Sequence, residues 1–528
     1  MTSDIRRLPS AAAAAAGVPG LLPPSDSTRT QGDAEMRGSG TVENGQLADS
    51  GGVADPDVVR ELGGRVATRL TANGEGYAGL DAEAQALRIR TLVLEEIEAW
   101  MLHRTGIGRQ PPSVADEDAL ADAVVASLSG LGRLEPLLRR DDVEDIFFNG
   151  TAPVMLRLED GSKVPGPVIA NSNQELVELI QRLASTLGNG VSREFSAARP
   201  LLAVRLQSVG GALGARLNAA NDITAHPAGT IRIHRHVEGD LDLAYAGVPT
   251  RHASRSAPMV DAPLRAFLRA AVRAGARLCV SGAMGSGKTF LLRSLCAEIP
   301  LDAMIVTVED DRELGLHVLP KRRPDGALVL GPDGRPEPLR PAALVRAYEA
   351  RPANSEGFGR VDMGDLLWHS LRDSADVIVV GETRAGDIVH TLDAATNGTA
   401  GVMATLHANS AEGVFDRIVQ LVLKAQPPLP TEYALRASTA LDLIVHVRRN
   451  RAHERFVSEV IEVHSGQLGE NGFPVVGHLF APRPDGRAEP TGHRPTPELM
   501  ARLADVGFDP AWLDPAHCDW DRERRAAG

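Results

Sequence analysis

The sequence predicts an α/β protein whose main unit is a largely parallel sheet with helices on both faces. From Leu264 onward, apolar runs of strand length alternate with helical stretches: "ARLCVSG", "AMIVTVED", "ADVIVVGE", "GVMATLH" and "DLIVHV". Between Asp141 and about Asp240 the texture is finer, with short strands around one amphipathic helix, which predicts a separate N-terminal α/β domain (141–249). A small helical module (55–140) precedes both.

The elements follow in chain order. Residues 1–54 are rich in Ala, Gly, Ser, Pro and Thr without apolar period, and read as a disordered tail. Arg6 and Arg7 before an apolar run have the look of an export signal, but the run is mostly alanine and is broken by Gly17, Pro19 and Gly20. In the helical module, Ile89, Val93, Ile97 and Trp100 share one face, and Leu120, Val124 and Leu128 another. "VEDIFFNG" is a strand ending in the Asn149-Gly150 turn. "NQELVELIQRLASTL" is an amphipathic helix. "TIRIHRH" alternates Ile231 and Ile233 with Arg232 and His234, as a half-buried strand should. The polar link Thr250–Pro258 leads into the main unit (259–470). A Pro- and Gly-rich C-terminal extension (471–528) follows, with one short helical piece near Pro497–Leu503.

Composition bounds the function. The 528 residues are too many for one core. A net charge of −13 and 4% aromatics argue against a nucleic-acid partner, which would want a basic channel or stacking platforms. Three widely spaced cysteines, Cys279, Cys296 and Cys518, suggest neither a disulfide framework nor a zinc site, and fit a reducing cytosol. No stretch approaches the roughly 18 apolar residues of a membrane span.

"SGAMGSGKTF" (Ser281–Phe290) satisfies G-x-x-x-x-G-K-[ST] between a predicted strand and a predicted helix, the context that gives the motif meaning. Gly282, Gly285 and Gly287, with Ser286, make a loop whose backbone N–H groups can cradle phosphate at a helix N-terminus. Lys288 reaches the β- and γ-phosphates, and the Thr289 hydroxyl is placed to ligate Mg²⁺. A chance glycine turn is the bland alternative; the flanking elements argue against it. Glu382 ends the strand "DVIVVGETR", where a magnesium-binding aspartate is more usual but Gly381 stands. Glu382 is therefore expected to help hold Mg²⁺, orient water, or both. "VTVEDDREL" ends another apolar run in Glu309, Asp310, Asp311 and Glu313. Alone it would be a solvated loop; beside a phosphate loop, Glu309 becomes a catalytic candidate.

These four segments, "SGAMGSGKT", "VTVEDDREL", "VIVVGETR" and "ATLHANS", resemble in order the Walker A, Asp box, Walker B and His box of type II/IV secretion ATPases. The resemblance runs from about Pro56 to Leu513 and is nearest to the Tad/Flp pilus-assembly ATPases of the CpaF type, in which glycine commonly replaces the Walker B aspartate. It implies a RecA-like P-loop motor domain behind the N-terminal α/β domain, assembled as a homo-hexamer. It also implies ATP with Mg²⁺, and a cytoplasmic place against an inner-membrane platform protein of a pilus or secretion system. Arginines of the N-terminal domain would close over the phosphates. The matching positions are Arg216 in "GARLNA" and Arg232 in "TIRIH", with Arg351 and Arg384 as further candidates. His407, which alone could be a core histidine, would by the resemblance sense the γ-phosphate or the neighbouring site.

Three departures stand out. Thr399 replaces a usual histidine after Gly398, Ala283 and Met284 occupy loop positions usually small or hydroxylated, and Pro320–Pro341 reads as an inserted hairpin with Asp325-Gly326 and Asp333-Gly334 turns on the ring surface. Alternatives are a type IV secretion or DNA-transfer motor of the same superfamily, and an ATP-gated structural ring with little turnover.

Overall fold

The structure is a computed structural model that describes residues 56–72, 82–106, 114–128 and 132–521. It has breaks at 188–193, 208–213, 235–238, 248–256, 322–326, 333, 335, 355–356, 385–386 and 397–400. The tail over 1–54, most of the Thr250–Pro258 link, the Asp325-Gly326 turn and Thr399 lie outside the described residues.

Helices α1 (Pro56–Ala72), α2 (Ala82–Gly106) and α3 (Val114–Leu128) share a core of their own. Leu62 and Val66 meet Leu92, Val93 and Ile97, closed by Leu120 and Val124, with Ile89 and Trp100 at its margin. After it comes α4 (Glu135–Arg139), and here the boundary expected at 140 moves. Leu134, Leu137 and Leu138 are buried in the core of the next domain, so the helical module ends before them.

That next domain is an antiparallel sheet of β1 (Val143–Asn149), β2 (Met155–Leu158), β3 (Lys163–Pro165), β4 (Leu201–Gln207), β5 (Gly214–Ala220) and β6 (Ala228–His234), in the order β3-β2-β1-β6-β5-β4. Helix α5 (Asn173–Leu187) covers it with Leu176, Leu179, Ile180 and Leu183, spaced three and four apart. In β6, Ile231 and Ile233 are buried while Arg232 is exposed between them, the alternation of a one-sided sheet. Helix α6 (Leu241–Ala246) was expected in this domain; Leu241 and Ala244 instead join the core of the motor.

The motor sheet has nine strands. Parallel pairing joins β7 (Leu278–Gly282), β8 (Ile305–Glu309), β9 (Val345–Glu349), β10 (Val377–Val380), β11 (Val402–Leu406) and β12 (Leu443–Arg449) in the order β12-β7-β11-β10-β8-β9. Strands β7, β8, β10 and β11 are buried at every residue, which is why they read as unbroken apolar runs. Their side chains alternate between two cores. Leu278 and Val280 pack with α7 (Ala262–Arg273) and α8 (Lys288–Cys296), while Cys279 faces α10 (Asp387–Thr396), α11 (Gly413–Leu423) and α12 (Thr431–Ser438). Helix α9 (Met363–Ser370) covers Ile378 and Val380 of β10 on that second face.

The expected C-terminal extension is not separate. From β12 the chain turns back through β13 (Arg455–Leu468), β14 (Pro474–Pro482) and β15 (Ala488–Pro490), an antiparallel meander on the same sheet. Helix α13 (Pro497–Asp505) then buries Leu499 and Leu503 in the motor core, alongside Phe508 and Leu513. Each such side chain contributes roughly 1.5–3 kcal/mol of burial. Arg502 of α13 and Arg277 both pair with Asp442 at the foot of β12. A boundary at 470 would cut through this sheet.

The inserted segment doubles back on itself: Lys321 N–H donates to Glu337 O at 2.7 Å and Glu337 N–H to Val329 O at 2.8 Å. Arg340, buried, ties its end to the carbonyls of Ile299 and Pro300 behind α8. Among the described residues, no helix is long and apolar enough to cross a membrane.

Candidate functional site

The glycines of Ser281–Phe290 are required by geometry. Gly282, Gly285 and Gly287 have φ of 153°, 71° and 97°, and Gly287 is the N-cap of α8. A Cβ on Gly282 would sit 2.4 Å from the Val447 carbonyl and 2.6 Å from Ser286 Oγ. That hydroxyl is buried without a hydrogen-bond partner. Lys288 Nζ donates to the carbonyls of Gly282 at 3.2 Å and Ala283 at 3.1 Å. Burial pulls its ammonium down to about 8, against the opposing charge of Glu382. Thr289 follows half-buried on α8. A glycine cradle, an orphaned hydroxyl and a lysine resting on carbonyls fit a phosphate group.

Three parallel strands bring the other boxes to this end of the sheet. Lys288 Nζ lies 3.1 Å from His407 Nδ1, just past β11, and His407 Nε2 lies 3.5 Å from Glu382 Oε1, just past β10. An ammonium only donates, so Nδ1 accepts and the imidazole hydrogen sits on Nε2, facing Glu382. His407 and then Arg384 hold the Glu382 carboxyl down to about 2, against its burial. The ionised Glu382 carboxylate, linked to Lys288 through His407, offers hard oxygen donors of the kind that would suit Mg²⁺. Arg384 also pairs with Asp310.

Glu309 explains Gly381. Its side chain is buried, and Oε2 accepts from the N–H groups of Glu313 at 2.9 Å and Leu314 at 2.8 Å, leaving Oε1 without a partner. A Cβ on Gly381 would come within 2.9 Å of Glu309 Cγ. The glutamate fills the space that an aspartate at 381 would take. Burial raises the Glu309 carboxyl to about 7, with the two backbone donors opposing.

The N-terminal arginines arrive on β4, β5 and β6, all holding carboxylates. Arg216 pairs with Asp311, and Arg205 pairs with Glu349, which also takes Arg312 at 3.0 Å. Arg232 is held inside its own domain, with Nε 3.0 Å from Asp145 Oδ1. Beside them His234 Nδ1 lies 3.3 Å from Glu313, its imidazole pushed down to about 4 by burial and by Arg216 and Arg232. Arg351 is not brought to the phosphate loop by any contact: its Nε donates to the Gly359 carbonyl at 2.7 Å. It lines a cavity of about 970 Å³ between β4 and β5 of the N-terminal domain and the motor, with Arg205, Arg216, Arg384 and Asp311.

Sequence reasoning missed Arg205, Glu349, and the pair Ser281–His446, buried beneath the loop at 2.8 Å. It also missed Arg455, whose Nε donates to Gly285 O at 3.2 Å. The arginine density of "RRNRAHER" was the one available signal for that last group.

A phosphate loop, a carboxylate at the end of the neighbouring-but-one strand, and a parallel sheet extended by an antiparallel meander define a P-loop ATPase of the RecA-like class. Residues 250–467 match the family described as type II/IV secretion system protein. The chain is 29% identical over 350 residues to a protein of Mycobacterium tuberculosis named for conjugal transfer, covering 66% of this chain and 89% of that one. It is also 29% identical over 364 residues to the type IV secretion system protein PtlH of Bordetella pertussis, covering 66% and 97%. The solved VirB11 ATPase of the Brucella suis type IV secretion system shares 24% identity over 64% of this chain and 96% of that one, with a TM-score of 0.29.

Proposed function

We propose that this chain hydrolyses Mg-ATP as a hexameric motor at the cytoplasmic face of an inner membrane, driving pilus assembly of the CpaF type through a membrane platform protein. The observation that carries the reading is the line Lys288–His407–Glu382, which links three of the four boxes through side-chain contacts of 3.1 and 3.5 Å. Lys288 leaves the Gly282 and Ala283 carbonyls for phosphate oxygens, and the loop N–H groups with Ser286 Oγ complete the cradle. Thr289 and Glu382 would hold Mg²⁺, which would supply charge neutralisation at the phosphates. His407, released by Lys288, regains a free Nδ1 lone pair while its Nε2 hydrogen stays on Glu382. The Glu309 carboxyl, poised near neutral pH with one free oxygen, accepts the proton of the attacking water. Arg216, once it exchanges Asp311 for phosphate, stabilises the charge that develops there.

A type IV secretion or DNA-transfer role is the second reading, favoured by the names of the two relatives above. The deciding experiment is steady-state Mg-ATP hydrolysis with size measurement on the same sample, beside Lys288→Ala. Turnover in a hexamer-sized species that the variant lacks supports the motor. Tight ATP binding without turnover, in wild type and variant alike, would sink it in favour of a gated ring. Between pilus and transfer roles, co-purification of the platform protein with small pilins, rather than with a DNA-nicking enzyme, decides.

A further inference from the structure

The β12–β13 hairpin follows the phosphate loop along its length. Ser281 Oγ meets His446 Nδ1 at 2.8 Å, both residues buried. Burial, with Arg448 and Lys288 nearby, holds that imidazole down to about 4, so it stays a neutral partner for the serine. One residue on, the Val447 carbonyl crowds Gly282. At the far end of the loop, the Arg449 guanidinium lies 3.5 Å from the Cβ position of Gly285, and the Arg455 stem lies 3.2 Å from that of Gly287. Arg455 Nε donates to the Gly285 carbonyl at 3.2 Å.

Peptide geometry makes this last contact consequential. In a trans peptide the C=O and the following N–H point opposite ways. A guanidinium holding the Gly285 carbonyl outward therefore turns the Ser286 N–H inward, where it now meets Ala283 O at 3.3 Å. Gly285 and Gly287 flank this segment, so without an external hold it has wide rotational freedom. The same hairpin meets the N-terminal domain. The Cβ position of Gly161, in the β2–β3 turn, lies 3.7 Å from the His453 ring at the hairpin tip. Burial raises the carboxyl of Glu144 on β1, and Arg455 is the foremost charge pulling it back.

We propose that Arg455 is a positioning residue that fixes the amide orientation of the phosphate loop. The inference rests on the nucleotide-binding reading of the loop.

The test titrates the full-length protein with fluorescent ADP and ATP analogues. The set is wild type, Lys288→Ala, Arg455→Gln and Arg455→Lys. Arg455→Gln should weaken both nucleotides alike by about tenfold, the scale of one charge-assisted hydrogen bond, with Arg455→Lys recovering most of it. Its thermal unfolding midpoint should not move, because Arg455 is exposed. Equal binding by wild type and Arg455→Gln overturns the inference alone. A loss confined to ATP would make Arg455 a γ-phosphate contact and overturn the positioning role. No binding even by wild type, matching Lys288→Ala, would remove the nucleotide reading itself.

Discussion

The two halves of the site are prepared in opposite ways. On the motor side, Lys288, His407 and Glu382 stand at the ends of neighbouring parallel strands and satisfy one another or the loop's own carbonyls. On the N-terminal side, Arg216, Arg205 and Arg232 stand on antiparallel strands, each closed onto a carboxylate. The difference lies in what must be given up. Lys288 surrenders neutral carbonyls to gain a phosphate, whereas Arg216 must surrender Asp311, a charge of the same sign as its intended ligand. The motor half is preorganised. The N-terminal half would have to work by exchange.

The comparison breaks first at Glu382. If the motor half supplies the chemistry, Glu382→Gln should cut Mg-ATP hydrolysis by about 10³-fold, the scale of neutralising a charged Mg²⁺ ligand, while leaving ADP affinity without Mg²⁺ nearly unchanged, in paired rate and binding assays. An Arg216→Gln variant should lose less, on the order of tenfold to hundredfold in kcat, because its guanidinium is one of several cations around the phosphates. A larger loss at Arg216 than at Glu382 would reverse the ranking of the two halves.

Preorganisation also has a packing test. Gly381→Ala pushes a methyl into Glu309 Cγ, and overpacking of this kind costs about 1–3 kcal/mol, read by urea or thermal unfolding. Wild-type stability in that variant would mean Glu309 is not locked against β10. The pH profile sharpens the same point. Glu309 titrates near 7 rather than 4.5, so its ionised fraction, and kcat with it, should rise between about pH 6 and 8 and level off above. Glu309→Gln should remove that limb. The linked stability runs the other way. The raised carboxyl stabilises the fold fully below pH 4.5, and that contribution is lost as pH rises through about 7.

The smallest expected effect is the most specific to exchange. Asp311→Asn removes the competitor for Arg216 and should lower KM for ATP by about threefold, the scale of a partly exposed ion pair. An unchanged or raised KM would show that Asp311 guides Arg216 rather than restrains it.

The motor's core strands were legible because a sheet covered on both faces leaves continuous apolar runs, and "RLCVS", "MIVTVE" and "DVIVVG" announce themselves. The end of the chain was not legible in the same way. Strand β14 is half-exposed and β15 has only three residues, and the pairing of β14 to β13 and of β15 to β14 depends on partners that no local pattern names. Helix α6 was misassigned for a related reason: Leu241 and Ala244 are apolar in any domain, and only packing against α7 and α8 decides which core they join.

By itself the sequence determined the phosphate loop, with its glycines, Lys288 and Thr289. It also determined the acidic and histidine positions at the ends of β8, β10 and β11, neighbours in the sheet, because each of these is encoded in a few consecutive residues. Only the tertiary structure decided which groups meet. Glu309 occupies the room beside Gly381, Arg216 is held by Asp311, and Arg455 reaches Gly285 across 170 positions of chain. Contacts of that separation are set by sheet order and by the space left between packed elements, and neither is written in the local spacing of residues.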